Sequence, residues 1–185
     1  MKVGVFVGSF NPLHLGHEKV IELILNKKIV DRVIVIPTLS YWDKSIDVSL
    51  EDRINMLKTI ENDKVVINTA LNNKKYTYEI LNELSKEYSD LYLIIGADNI
   101  VGFNKWKNLV NILKHHVIVV ERNNININYY LKNFNKSRFI IVEDNNIEIS
   151  STDIRNYIKN NDFNSLKGIV NNKVIEYIKS KKLYL

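Results

Sequence analysis

Six short runs of β-branched and apolar residues recur along the chain, and stretches with helical spacing separate them. The runs lie at 2–7 (KVGVFV), 32–37 (RVIVIP), 64–68, 91–96 (LYLIIG), 117–120 (VIVV) and 138–142 (RFIIV). Strands this continuously apolar belong to a parallel sheet covered on both faces, because a half-exposed strand would alternate polar and apolar residues. Helices are expected at 14–26, 49–60, 77–88, 151–159 and 171–182. Ser49 and Asp52, then Ser150 and Asp153, stand at capping-box spacing. The expected fold class is α/β. One doubly wound, mostly parallel sheet carries helices on both faces, with a small helical C-terminal region at about 151–185. At 185 residues the chain is expected to be a single domain spanning 1–185.

In an open α/β sheet, ligands bind outside the carboxyl ends of the strands. The loop after the first strand is Gly8-Ser9-Phe10-Asn11-Pro12-Leu13-His14-Leu15-Gly16-His17, and it opens the first helix. Gly8 lets a backbone approach a phosphate closely. His14 and His17, three apart, share one face of the helix start, where unpaired N–H groups already favour an anion. A second turn into a helix is Ile149-Ser150-Ser151-Thr152-Asp153-Ile154-Arg155. Its hydroxyls and the forked cation of Arg155 suit phosphate oxygens. Taken alone, each segment also reads as an ordinary capped helix.

Other chemistries are disfavoured. Cysteine is absent, so there is no disulfide, thiolate metal site or cysteine nucleophile, which fits a cytoplasmic location. Zinc lacks a third ligand beside His14 and His17, and position 21 is Ile, which breaks the zincin pattern. GxGxxG, GxxxxGK[ST] and GxSxG are absent, against a Rossmann dinucleotide reader, a P-loop kinase and a serine hydrolase. No apolar run reaches the roughly 20 residues that span a bilayer, and the N-terminus is not expected to be a signal peptide. Net charge is +5, but the lysines are scattered and residues 123–128 (NNININ) lack the aromatic interleaving of a nucleic-acid surface. Neither a nucleic-acid nor a membrane partner is expected. His115 and His116 match no motif.

The two phosphate segments together, Gly8-Ser9-Phe10-Asn11-Pro12-x-His14-x-Gly16-His17 and Ile149-Ser150-Ser151-Thr152-x-Ile154-Arg155, resemble the nucleotidyltransferase superfamily with the (H/T)xGH signature. Further segments resemble its bacterial nicotinate-nucleotide adenylyltransferase branch. They are residues 37–44, Tyr76-Thr77, Gly96-Ala97-Asp98-Asn99 followed by Lys105-Trp106, and Val119-Val120-Glu121-Arg122. The sequence departs from that pattern in two places. Asn11 stands where Asp is usual, and Tyr41, Trp42 and Asp43 replace a Pro-Pro-His segment.

The resemblance implies a Rossmann-like nucleotidyltransferase fold and adenylyl transfer from ATP to nicotinate mononucleotide, with Mg²⁺ accompanying ATP and no protein metal site. It implies catalytic roles for His14, His17 and Arg155. Gly8, Ser9, Phe10, Gly16, Gly96, Asp98, Ile149, Ser150, Ser151 and Thr152 would bind ATP. Lys44, Thr77, Trp106 and Arg122 would bind the mononucleotide, with Trp106 stacked on its pyridine ring from a helical stretch. Two alternatives remain. One is another adenylyltransferase of the superfamily, of the pantetheine-phosphate type, which has no use for Trp106. The other is a non-catalytic nucleotide- or RNA-binding module.

Overall fold

Strands form where the apolar runs fall, and they form one sheet. In the computed structural model, which describes residues 1–39, 48–121, 125–143 and 149–185, the strands are β1 (Lys2–Gly8), β2 (Arg32–Pro37), β3 (Val65–Ile67), β4 (Asp90–Gly96), β5 (His116–Val120) and β6 (Phe139–Val142). Their order is β3-β2-β1-β4-β5-β6, and every pairing between them is parallel. The order reverses direction between β1 and β4. That topological switch point opens a crevice at the carboxyl ends, between Gly8 and Gly96.

Helices α1 (Leu15–Asn26), α2 (Leu50–Leu57), α3 (Thr77–Leu84), α4 (Ala97–Ile100), α5 (Leu109–Ile112), α6 (Ile127–Leu131), α7 (Ser151–Lys159) and α8 (Asn172–Lys181) cover both faces. Strand alternation sorts the core. Tyr92 and Ile94 of β4 join a cluster with Val20 and Ile24 of α1, Met56 of α2, Ile154 of α7 and Ile178 of α8. Leu91, Leu93 and Ile95 point the other way, onto Ile80 of α3, Ile100 of α4, Ile112 of α5 and Leu131 of α6. The C-terminal helices are thus part of the main core. Full burial of each such side chain contributes roughly 1.5–3 kcal/mol.

Some local expectations need correction. Helix α3 ends at Leu84, short of the expected 88, and residues 58–60 tighten into a 3-10 turn after α2. Ser49 does cap α2 by accepting from Asp52 N–H at 3.0 Å. Ser150 instead accepts from Thr152 N–H at 3.1 Å, so its cap reaches the second helical residue and not Asp153. Helices α4 and α5 were not expected. At four residues each they are too short to show periodicity. No helix among the described residues is long and apolar enough to cross a membrane.

Candidate active site

The loop after β1 is held from several directions. Gly8 O accepts from Thr38 N–H at 2.9 Å, which ties it to the end of β2. Phe10 sits at φ 46°, a left-handed backbone that a bulky residue adopts only at a cost of order 1–3 kcal/mol. Its ring is 2% exposed, packed edge-on against Phe6 and His17 with centroids 5.3 and 4.9 Å away. The carbonyls flanking this strained residue are gripped by two arginines. Arg53 Nη1 of α2 donates to Ser9 O at 2.6 Å and to Thr38 O at 2.9 Å. Arg155 Nη1 of α7 donates to Asn11 O at 2.7 Å. The packing and these charge-assisted bonds oppose relaxation of Phe10.

Arg53 was not singled out from the sequence. It is 2% exposed, and burial pushes its guanidinium pKa below the ordinary arginine value. Only its side-chain contacts reveal the role, since an arginine on an amphipathic helix ordinarily reads as a solvated residue.

The two histidines come together, but in unequal settings. His14 is the extended N-cap residue of α1 and is 2% exposed. His17, on the first turn, is half-buried, and the rings stack with centroids 3.7 Å apart. His17 Nδ1 accepts from His14 N–H at 3.4 Å. That contact places the proton of the neutral His17 ring on Nε2, which makes Nε2 the hydrogen-bond donor. His17 lines a cleft of about 270 Å³ with Gly8, Ser9, Phe10, Gly96, Asp98 and Asn99, at the switch point itself.

The second phosphate segment arrives at the same loop from far along the chain. Ser151 Oγ donates to Pro12 O at 3.4 Å, and Arg155 Nη2 donates to Thr152 Oγ1 at 3.1 Å. Ser150 and Thr152 are exposed, and half-buried Ile149 packs against the core that α1 and α2 share. Gly16 is buried within α1. At Gly96, a Cβ would collide with the carboxylate of Asp98, so glycine leaves room for that side chain.

A second cleft, about 510 Å³, is lined by Lys75, Tyr76, Thr77, Asn99, Lys105, Trp106, Lys107 and Ile112. Asn99 belongs to both clefts, so they adjoin. Trp106 is half-buried against Phe103, centroids 5.1 Å apart. It sits in extended backbone just beyond a 3-10 turn rather than in the expected helical stretch. The N-cap of α3 is Tyr76, and Thr77 is the first helical residue. Glu79 Oε2 accepts from the N–H groups of Lys75 and Tyr76 at 3.1 and 3.0 Å, a capping device missed in the sequence. Lys44 and Arg122, and with them Tyr41, Trp42 and Asp43, lie outside the described residues.

A family model described as cytidylyltransferase-like matches residues 5–157. A probable nicotinate-nucleotide adenylyltransferase of Caldicellulosiruptor saccharolyticus is 36% identical, with 100% of this chain and 99% of that protein covered. One of Fusobacterium nucleatum is 33% identical over 98% of each chain. Among solved structures, the nicotinic acid mononucleotide adenylyltransferase of Plasmodium falciparum complexed with NaAD superposes with a TM-score of 0.85 at 24% identity. That match covers 99% of this chain and 97% of the other.

Proposed function

The chain belongs to the nicotinate-nucleotide adenylyltransferase family and is a nucleotidyltransferase with the cytidylyltransferase-like fold; from that premise we propose that it transfers the adenylyl group of ATP to nicotinate mononucleotide. The products are deamido-NAD and pyrophosphate, a step of NAD biosynthesis. The observation that carries this reading is the pair of adjoining clefts. One is built from phosphate-binding loops at the switch point, the other from an aromatic platform, and Asn99 is common to both. Substrates lying in the two would meet where the clefts join.

The nucleophile is the mononucleotide's own phosphate oxygen, already anionic at neutral pH. It forms the new bond to the α-phosphorus of ATP, and the bond from that phosphorus to the bridging oxygen breaks with pyrophosphate leaving. No enzyme base or covalent intermediate is required. Catalysis is positioning plus stabilisation of negative charge on the transferring and leaving groups. His17 Nε2–H donates toward the α-phosphate, and buried His14 orients it from behind. Arg155, Ser150, Ser151 and Thr152 hold the outer phosphates. Gly8, Ser9, Phe10, Gly16, Gly96, Asp98 and Ile149 shape the nucleotide side. Trp106 stacks on the pyridine ring while Thr77, at the start of α3, meets its carboxylate. Lys44 and Arg122 keep their proposed part in mononucleotide binding.

Mg²⁺ is the metal expected with ATP. Among the described residues no three His, Cys, Asp or Glu come together to hold an ion. The site therefore fits a metal held by phosphate oxygens and water, where it would offset phosphate charge. Pyrophosphate release with ATP and, in turn, nicotinate mononucleotide, nicotinamide mononucleotide and phosphopantetheine tests the reading. Turnover with nicotinate mononucleotide well above the others supports it. Preference for phosphopantetheine, or no turnover with any acceptor, overturns it.

A further inference from the structure

The end of the chain returns to the phosphate loop. Helix α8 stops at Lys181, and Lys182 and Tyr184 both take left-handed backbone, φ 53° and 64°. The turn carries Tyr184 inward to 6% exposure. Its hydroxyl donates to Asn11 Oδ1 at 2.7 Å across 173 positions of sequence, and Asn11 is itself 7% exposed. Asn11 directly follows strained Phe10. Arginines hold the backbone on either side of Phe10, through Ser9 O and Asn11 O, and the Asn11 side chain supplies a third tether with Tyr184 as its donor.

The electrostatics favour this pairing. Burial holds the Tyr184 phenol above the ordinary tyrosine range, while Arg53 and Arg155 act on it in the opposite sense. The phenol therefore stays a donor at neutral pH. A carboxylate at position 11 would draw on both cations directly. The neutral amide present here has a weaker claim on them and takes its hydrogen bond from the phenol.

Resting on the function proposed above, we infer that Tyr184 is a positioning residue. Through Asn11 it fixes the Phe10–Asn11 backbone in the conformation that meets the triphosphate, which couples the C-terminus of the chain to ATP binding. Removing only the hydroxyl leaves a buried acceptor without its donor, an effect worth roughly five- to hundred-fold in equilibrium terms.

The test is Tyr184→Phe, read by separate KM values and by direct ATP titration. The expected result is an ATP KM and dissociation constant raised about five- to hundred-fold, with the mononucleotide KM unchanged because the Trp106 cleft is untouched. In an Asn11→Ala background the same change adds little. A tail that merely stabilises the fold would lower the melting temperature and leave the two KM values in their wild-type ratio. A well-folded Tyr184→Phe with ATP KM within twofold of wild type overturns the inference. Should that variant not fold, the wild-type protein still decides. Coupling is reciprocal, so ATP must slow hydrogen exchange of the 183–185 amides, and unchanged exchange refutes it. If wild type turned over no acceptor, the functional reading would fall, whereas ATP titration and exchange would still test Tyr184.

Discussion

Replacing His17 with alanine separates chemistry from binding and from stability. Three contacts disappear. The Nδ1 bond from His14 N–H is long at 3.4 Å and contributes little. The edge-on contact with Phe10 is worth about 0.5–1.5 kcal/mol, and the stack on His14 is of similar size. Stability should therefore fall by about 1–2 kcal/mol, or roughly 2–8 °C in melting temperature for a chain of this length. The larger loss is catalytic. A donor aimed at charge that develops in the transition state is worth on the order of 10²–10³ in rate. ATP in the ground state still has Arg155, the Ser150–Thr152 hydroxyls and the loop backbone, so its dissociation constant should move only a few-fold. The assay is pyrophosphate release at saturating ATP and acceptor, beside ATP titration and thermal melting. A cooperatively melting variant with kcat within fivefold of wild type would refute the placement of His17 at the α-phosphate. So would a loss carried mainly by ATP affinity.

Arg155→Ala should show the complementary pattern. Its charge-assisted bonds to Asn11 O and Thr152 Oγ1 are lost, and the ATP KM and pyrophosphate affinity should weaken about ten- to hundred-fold, as the reverse reaction would show. Unchanged pyrophosphate binding would leave α7 as only a capped helix. Trp106→Ala should raise the KM for nicotinate and nicotinamide mononucleotides alike, about three- to tenfold, because stacking does not read the ring substituent; a changed ratio between them contradicts the platform role. Glu18 lies on the first turn of α1, where burial, and to a lesser degree the Glu22 charge, raise its carboxyl pKa against the hydrogen bond from Asn171. A raised folded pKa means the ionised form is disfavoured above the unfolded value near 4.3, so stability is lost as pH rises. Glu18→Gln should accordingly raise the melting temperature at pH 7, with the gain vanishing toward pH 4. A gain that persists in acid would refute the assignment.

Much of this protein follows from local sequence alone. The six apolar runs fall on the six strands because a strand buried on both faces must be apolar at every position, a condition the sequence states directly. The helix starts at 15, 50, 77, 151 and 172 likewise follow from capping side chains and amphipathic spacing. The (H/T)xGH-like loop and the Ser-Ser-Thr segment were legible because phosphate binding at a helix start is itself local chemistry. What escaped the sequence depends on distance in space. Helices α4 and α5 are held by packing rather than periodicity, and Trp106 stands outside a helix because Phe103 anchors the turn before it. Arg53 is 44 residues from Ser9, Arg155 is 144 from Asn11, and Tyr184 is 173 from Asn11. No pattern along the chain pairs them. Only the parallel crossovers, which bring α2, α7 and the C-terminus to the carboxyl end of β1, place two cations and a phenol around one strained loop. Local spacing thus determined which segments could hold a phosphate, while the tertiary fold decided which side chains hold those segments in place.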